Sequence, residues 1–494
     1  MSALLAALAG SAAANSHTVG NPDFGPYLGH ATSDAVSVSW RTSVAGTSEV
    51  AFGPTQALGQ SKTDSALAQQ HEVRLTGLQP GTRYYYTIRS LDGNGQVVAS
   101  AGPFAFRTAA APGQAFKFVF LAEVHEEVEV ARFDAPIAAF GADFQIQPGD
   151  NIDEGHDLNQ WQRFFTQGAW YPSLPLFNTM GNHNFDDGNV FGGADVVSIE
   201  LLAAPGNERW YAFRYGHTLF LGLDSNHWLY PKSKTDQLTW LDAELTKATD
   251  GVDDPALIVA FFHVPPYSSC GELTCISREV TERPWVRQEL VPRFEKHKVD
   301  LVLNGHDKIY ERSEKGGVTY IEVSSGAAPR SLGWPNGFSK LARSARSALL
   351  VAVDGCKLDF EAVDDQGGSI EKGQIVGKCQ NIVDGGAGAA DGGADAQPDG
   401  LAADIATADA ADRLDAEAGD MRVSDDAAQS DARAADGARA DGGAAATTES
   451  GCGCSQAVRT APNDVWPLLL VAVLALFGAW RRRRRCDRRR GRQA

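Results

Sequence analysis

The sequence predicts an N-terminal all-β sandwich followed by an α/β domain, then a disordered Ala/Asp/Gly tail and a C-terminal hydrophobic helix. Three observations carry this reading. Short alternating runs joined by Gly/Pro turns fill residues 24–109. From residue 115 to 379, short apolar runs alternate with helical ones. After Cys379 the composition collapses to Ala, Asp and Gly, too little apolar surface to offset the entropy of ordering.

At 494 residues the chain is long enough for two or three domains with ample core. Its formal charge of −18 is unevenly spread, with −14 in residues 1–380, −12 in 381–450 and +8 in 481–494. An acidic globular part argues against a nucleic-acid-binding surface, and no nucleic-acid partner is expected.

Residues 1–20 begin MSALLAALAGSAAANS, an apolar core with a small-residue exit but no positive start. They read as a truncated signal peptide or as an Ala-rich leader without structure. The β region follows. AVSVSW (35–40) alternates, HEVRLTGLQPGTRYYYTIRS (71–90) reads strand–turn–strand, and PFAFRT (103–108) alternates again. AAAPGQ (109–114) reads as a linker.

The chain is organised around residues 116–153. KFVFLAEVH is a buried strand that ends in Glu123 and His125, and ADFQIQPGDNID is a second that ends in Asp150 and Asp153. Ligand sites in open α/β sheets lie off the carboxyl ends of the strands. GNHN (181–184), FFHVPPY (261–267) and NGHDKIYER (304–312) repeat the arrangement. QLTWLDAELTKA (237–248) is the best helical run, with Leu238, Leu241 and Leu245 on one face. Strands are expected at 257–262, 299–304 and 318–325, in one large sheet or two stacked sheets.

The Trp40 and L-x-P-G-T-x-Y pattern (78–84) resembles a fibronectin type III-like domain. The five motifs of the α/β part, in order and each at a predicted strand end, resemble the calcineurin-like metallophosphoesterases. With the β-sandwich in front, and with the HxPPY and YER surroundings, the arrangement is closest to the purple acid phosphatase-like members. That resemblance covers residues 24–378 and implies a β-sheet sandwich flanked by helices. It also implies one or two divalent or trivalent ions (iron, manganese or zinc) and a phosphate-ester substrate. By motif, Asp150 would bridge two metals, with Asn182, His263 and His306 around the second and Glu123 and His125 at the first. His183 would stand near the leaving-group oxygen as general acid or transition-state stabiliser. Asp153 would orient its ring.

The sequence departs from the family pattern at the first metal. Glu123 stands where the pattern has Asp, and Lys308 stands where Gly-His-x-His has its second His. Asn184 replaces the usual Glu or Asp. To ligate a metal Lys308 must be neutral, and moving its pKa from about 10.4 to 7 costs roughly 4–5 kcal/mol. Three readings stay open. The Lys308 ammonium replaces one metal and pairs with Glu123 and Asp150; or two metals bind, with Glu123, His125 and Asp150 sufficient for the first; or the site is degraded and the chain is a binding protein. Purple acid phosphatases place a Tyr ligand where Asp153 stands, so no tyrosinate-to-iron colour is expected.

Other residues have plain readings beside the functional ones. His156, Asp186, Asp187 and His227 could face the pocket, or be solvated or packed. Arg312 is expected to brace, and His71, His217 and His297 to be structural. Cys270 with Cys275, and Cys356 with Cys379, could form disulfides if the chain is exported, or stay buried thiols.

Residues 380–450 read as a disordered acidic spacer. Residues 451–494 hold GCGCS, the apolar run VWPLLLVAVLALFGAW (465–480) and RRRRR. This end resembles the C-terminal sorting signals of myxobacterial surface proteins. It implies export, a sorting protease, and either a processed surface anchor or a retained transmembrane helix at the outer membrane.

Overall fold

The computed structural model describes residues 21–185, 196–202, 204–230, 234–252 and 254–379. The expected signal peptide (1–20), acidic spacer (380–450), sorting segment (451–494), Asp186 and Asp187 lie outside the described residues. Among the described residues no helix is long and apolar enough to cross a membrane.

Five antiparallel strands open the fold. They are β1 (Phe24–Gly29), β2 (Ala35–Gly53), β3 (Gln60–Thr76), β4 (Arg83–Leu91) and β5 (Val97–Arg107). β2 pairs with β1, β3 and β4, and β5 closes on β4. Alternation drives the packing. Val36, Val38 and Trp40 point into one core with Val73, Leu75, Tyr86 and Ile88. Trp40 stacks on His71, and its indole donates to Ser90 Oγ at 3.0 Å.

The α/β part then runs β6 (Phe116–Phe120), α1 (Asp134–Phe140), β7 (Phe144–Gln147), α2 (Leu158–Gln167), β8 (Leu176–Asn178), α3 (Val196–Leu202), β9 (Tyr211–Tyr215), β10 (Thr218–Gly222), α4 (Asp236–Lys247) and β11 (Leu257–Phe261). It continues through α5 (Leu273–Thr281), α6 (Arg283–Trp285), a π turn at Val286–Leu290 and α7 (Val291–His297). It ends in β12 (Leu301–Asn304), β13 (Tyr310–Lys315), β14 (Val318–Glu322), β15 (Ser339–Arg343), β16 (Ser347–Asp354), β17 (Lys357–Asp364) and β18 (Ser369–Val376).

Two mixed sheets form. One is ordered β18-β17-β16-β6-β7-β8-β1-β2-β4-β5, with β3 on β2; the other is β15-β13-β14-β12-β11-β10-β9. Each has a parallel centre, β6-β7-β8 in one and β10-β11-β12-β14 in the other. Phe116, Phe118 and Phe120 point between the sheets towards Phe220, Val259, Phe261 and Leu303. The alternate residues Val119 and Leu121 face Trp161, Phe164 and Ile137. Leu238, Leu241 and Leu245 of α4 cover the other sheet with Phe294 of α7. The layers are therefore helix, sheet, sheet, helix.

The first sheet does not stop at the linker. β1 pairs parallel with β8, Gly29 opposite Leu176. Tyr27 stacks on Phe165 and donates to Leu201 O at 2.5 Å, and Tyr86 donates to Pro172 O at 2.8 Å. The β part is fused to the α/β part along an edge of the sheet and contributes no residue to the cluster described below. Both cysteine pairs close as disulfides, Cys270–Cys275 and Cys356–Cys379.

Candidate metal centre

The candidate ligands converge because parallel strands of both sheets release their loops at one edge. Glu123 and His125 follow β6, and Asp150 and Asp153 follow β7. Asn182 and His183 follow β8, His263 follows β11, and His306 follows β12. Ten described non-glycine residues have positive φ, and six of them lie in these loops: Glu123, His125, Glu126, Asp150, His306 and Lys308. Such conformations persist only where surrounding structure enforces them, and they gather at functional sites. Gly181 lets two loops meet, since a Cβ there would lie 2.2 Å from Asp150 Oδ1.

One cluster is Asp150, His263 and His306, all buried. His263 Nε2 lies 3.2 Å from Asp150 Oδ2, 3.2 Å from Asn182 Oδ1 and 2.8 Å from His306 Nδ1. The Glu282 carboxylate accepts from His306 Nε2 at 2.6 Å, which leaves His306 Nδ1 as the lone-pair nitrogen. Lone pairs of a carboxylate, an amide and an imidazole thus face one ring nitrogen. His263 Nδ1 meanwhile is buried with no hydrogen-bond partner. That nitrogen lies on the far side of the ring, 3.6 Å from Glu123 Oε1. A cation in place of a proton at His263 Nε2 would take a lone pair from each of Asp150, Asn182, His263 and His306, and these donor types suit a transition metal. This cluster fits the metal that the resemblance implies.

The second cluster is Glu123, His125 and Asp150. His125 Nε2 lies 3.0 Å from Glu123 Oε2 and 3.6 Å from Asp150 Oδ2. Lys308 Nζ lies 3.8 Å from the same Glu123 oxygen. Burial opposes charge on Asp150, but His263, His183 and His125 hold its carboxyl well below the usual range. Burial and Asp150 likewise oppose ionisation of Glu123, yet His125 and His263 bring it down to about 2. Burial works against a charged His125, and the Asp153 and Glu123 carboxylates raise it to about 9. Burial, with Arg278 and His263, presses His306 well below its ordinary value.

Asp153 acts differently from the expectation. Its carboxylate accepts from His125 Nδ1 at 2.6 Å, and it is only its backbone carbonyl that holds His183 Nδ1, at 2.8 Å. The loop after β7 turns the Asp153 side chain toward β6 and leaves its carbonyl toward β8. His183 keeps Nε2 4.0 Å from Asp150 Oδ2, with 38% of the side chain exposed. Asn184 is a brace, its Oδ1 accepting from Asp150 N and Gly181 N at 2.9 Å each.

Glu282 and the support behind the His306 loop carry no sequence motif. Asp307 is buried and accepts from Arg278 at 2.7 Å and from Arg283. Glu322 takes the Asp307 N–H, and burial beside Glu311 keeps its carboxyl well above the usual range. His227 is packed on Trp285, and Arg312 is bound to Glu371 at 2.9 and 2.7 Å, away from the cluster. His156 is exposed. His71 sits between Thr42 and Ser48, and His297 meets Thr249.

The comparisons with known proteins agree with this geometry. The family model for the purple acid phosphatase N-terminal domain matches residues 26–108, and that for the calcineurin-like phosphoesterases matches residues 116–310. Residues 116–310 are thus similar to the calcineurin-like phosphoesterases. A phosphoenolpyruvate phosphatase of Allium cepa is 27% identical over 59% of this chain and 63% of its own length. A probable inactive purple acid phosphatase 1 of Arabidopsis thaliana is 27% identical over 49% of this chain and 43% of its own. The chain thus spans less than two thirds of the length of these relatives. The purple acid phosphatase PPD1 of yellow lupin, Lupinus luteus, shares the fold with a TM-score of 0.61 at 18% identity, over 71% of this chain and 73% of its own.

Proposed function

We propose that this phosphoesterase hydrolyses phosphate monoesters or diesters with metal assistance, and that it is exported and held at the cell surface through its C-terminal segment. The observation that supports hydrolysis is the convergence of Asp150, Asn182, His263 and His306 around one point, from strand ends of both sheets. Those four residues are assigned to hold iron, manganese or zinc, with Glu123 and His125 sharing Asp150 beside them. A bound ion supplies Lewis acidity and charge neutralisation at a phosphoryl oxygen.

The chain's own residues supply the rest. Asp153 O can only accept, so the proton on the His183 ring is at Nδ1 and Nε2 faces the site. In its imidazolium form the ring carries a second proton at Nε2, which it would give to the departing alkoxide oxygen, returning to the Nδ1–H tautomer that Asp153 O holds. Glu282 fixes the His306 ring, and Asn184 fixes the Asp150 and Gly181 backbone. Export is supported by the two disulfides, which suit an oxidising compartment, and by the Cys–apolar–Arg pattern of residues 451–494.

The second reading is a non-catalytic surface binding protein that keeps the fold. Lys308 against Glu123, where the family pattern has an imidazole, favours it. Turnover of nitrophenyl phosphate and bis-nitrophenyl phosphate by the purified chain, with manganese, zinc, iron or calcium, separates the two. The hydrolase reading expects metal-dependent turnover that is lost in Asp150→Asn and Asn182→Ala. It expects turnover to fall roughly 10²–10⁴-fold in His183→Ala. A folded chain with no turnover on any metal supports the binding protein.

A further inference from the structure

We propose that the Lys308 ammonium takes the place of the first cation, so that the centre holds one metal ion, between Asp150, Asn182, His263 and His306. The inference rests on the phosphoesterase reading above and specifies its site.

The two clusters differ in how their donors are already used. In the Asp150–His263–His306 cluster, lone pairs of Asp150, Asn182 and His306 all face the single ring nitrogen His263 Nε2, a crowding that one cation relieves. In the Glu123 cluster, donors and acceptors are matched without an ion. Glu123 Oε1 accepts from the His306 N–H at 2.5 Å. Glu123 Oε2 meets His125 Nε2 at 3.0 Å and Lys308 Nζ at 3.8 Å. His125 is held by a carboxylate at each ring nitrogen, Asp153 at 2.6 Å and Glu123 at 3.0 Å.

Glu123 and Lys308 act together. The glutamate arm is one C–C bond longer than an aspartate arm, about 1.5 Å. That reach lets it take the His306 amide. Lys308 is aimed inward by a backbone with φ +61, its carbonyl tied to Arg330 N at 2.9 Å, and its side chain is 19% exposed. A dication on Glu123 Oε2 would share that oxygen with the ammonium, and like charges repel strongly where water is excluded. The ammonium instead supplies a fixed positive charge for a phosphate oxygen beside the metal.

The test is a metal count on the full chain. Metal-free protein is equilibrated with manganese or zinc, and bound metal is measured by elemental analysis after dialysis. We expect one ion per chain in the wild type, none in Asp150→Asn, and two in the Glu123→Asp/Lys308→His double variant. Two ions in the wild type, or one in a double variant whose circular dichroism shows it folded, would overturn the proposal. Lys308→Gln removes the charge without adding a ligand and covers the case where the double variant does not fold. It should keep one ion and weaken inorganic phosphate binding about tenfold or more. Unchanged phosphate affinity overturns the role of Lys308. One ion without turnover contradicts only the hydrolase reading, two with turnover contradict only this inference, and none contradicts both.

Discussion

Glu123 shows how much a single methylene decides at this centre. Its carboxylate touches His125, the His306 amide and Lys308 at once. Most of the candidate ligands were legible because each closes a short apolar run, and strand ends in α/β sheets carry sites. Glu282 was not legible. It sits at the C-terminal end of α5 without a motif, and only the packing of that helix brings it to His306. Asp153 does hold the His183 ring, but through its carbonyl, and spacing does not tell whether a side chain or its carbonyl will face a neighbour. Its observed bond to His125 carries a prediction at this scale. Asp153 occupies the position of a tyrosine ligand, so iron-loaded protein should show no tyrosinate charge-transfer colour. A visible band lost in a Tyr→Phe variant, for instance at Tyr267, would contradict this.

Among the elements, the parallel strands and α4 follow from apolar periodicity, and the structure places α4 at Asp236–Lys247 with Leu238, Leu241 and Leu245 buried. The lengths of β2 and β3, 19 and 17 residues, were not legible, because Gln60–Gln70 is polar and mostly exposed and is ordered by pairing with β2. The β16–β17–β18 meander was missed for a similar reason, as half of β18 faces solvent. One junction between elements makes a pH prediction. Asp300, just before β12, accepts from Ile258 N of β11 at 2.7 Å, and burial raises its carboxyl from 3.8 to about 6. A raised carboxyl contributes stability that is present below about pH 4 and lost as pH rises through about 6. Asp300→Asn keeps an acceptor and removes that loss. Its unfolding free energy relative to wild type should rise by up to about 3 kcal/mol between pH 4 and pH 7. A constant difference in denaturant titrations across this range would contradict the assignment.

At the scale of the molecule, the β part and the α/β part were read as successive domains joined by a linker. The structure continues the sheet across that boundary through β1 and β8. Sequence patterns report periods along the chain, and a parallel contact between residues 29 and 176 has no local signature. The two-sheet arrangement was legible only through the resemblance, since composition left one sheet or two. The described residues build an edge where loops from both sheets meet, with the β part pairing with β8 rather than entering the site. Metal-dependent phosphoester turnover can be compared directly between the wild type and the Glu123→Asp/Lys308→His variant. The wild type is expected to turn over substrate without restoration of the family residues. Turnover seen only in the double variant would contradict it and identify the natural chain as a binding protein.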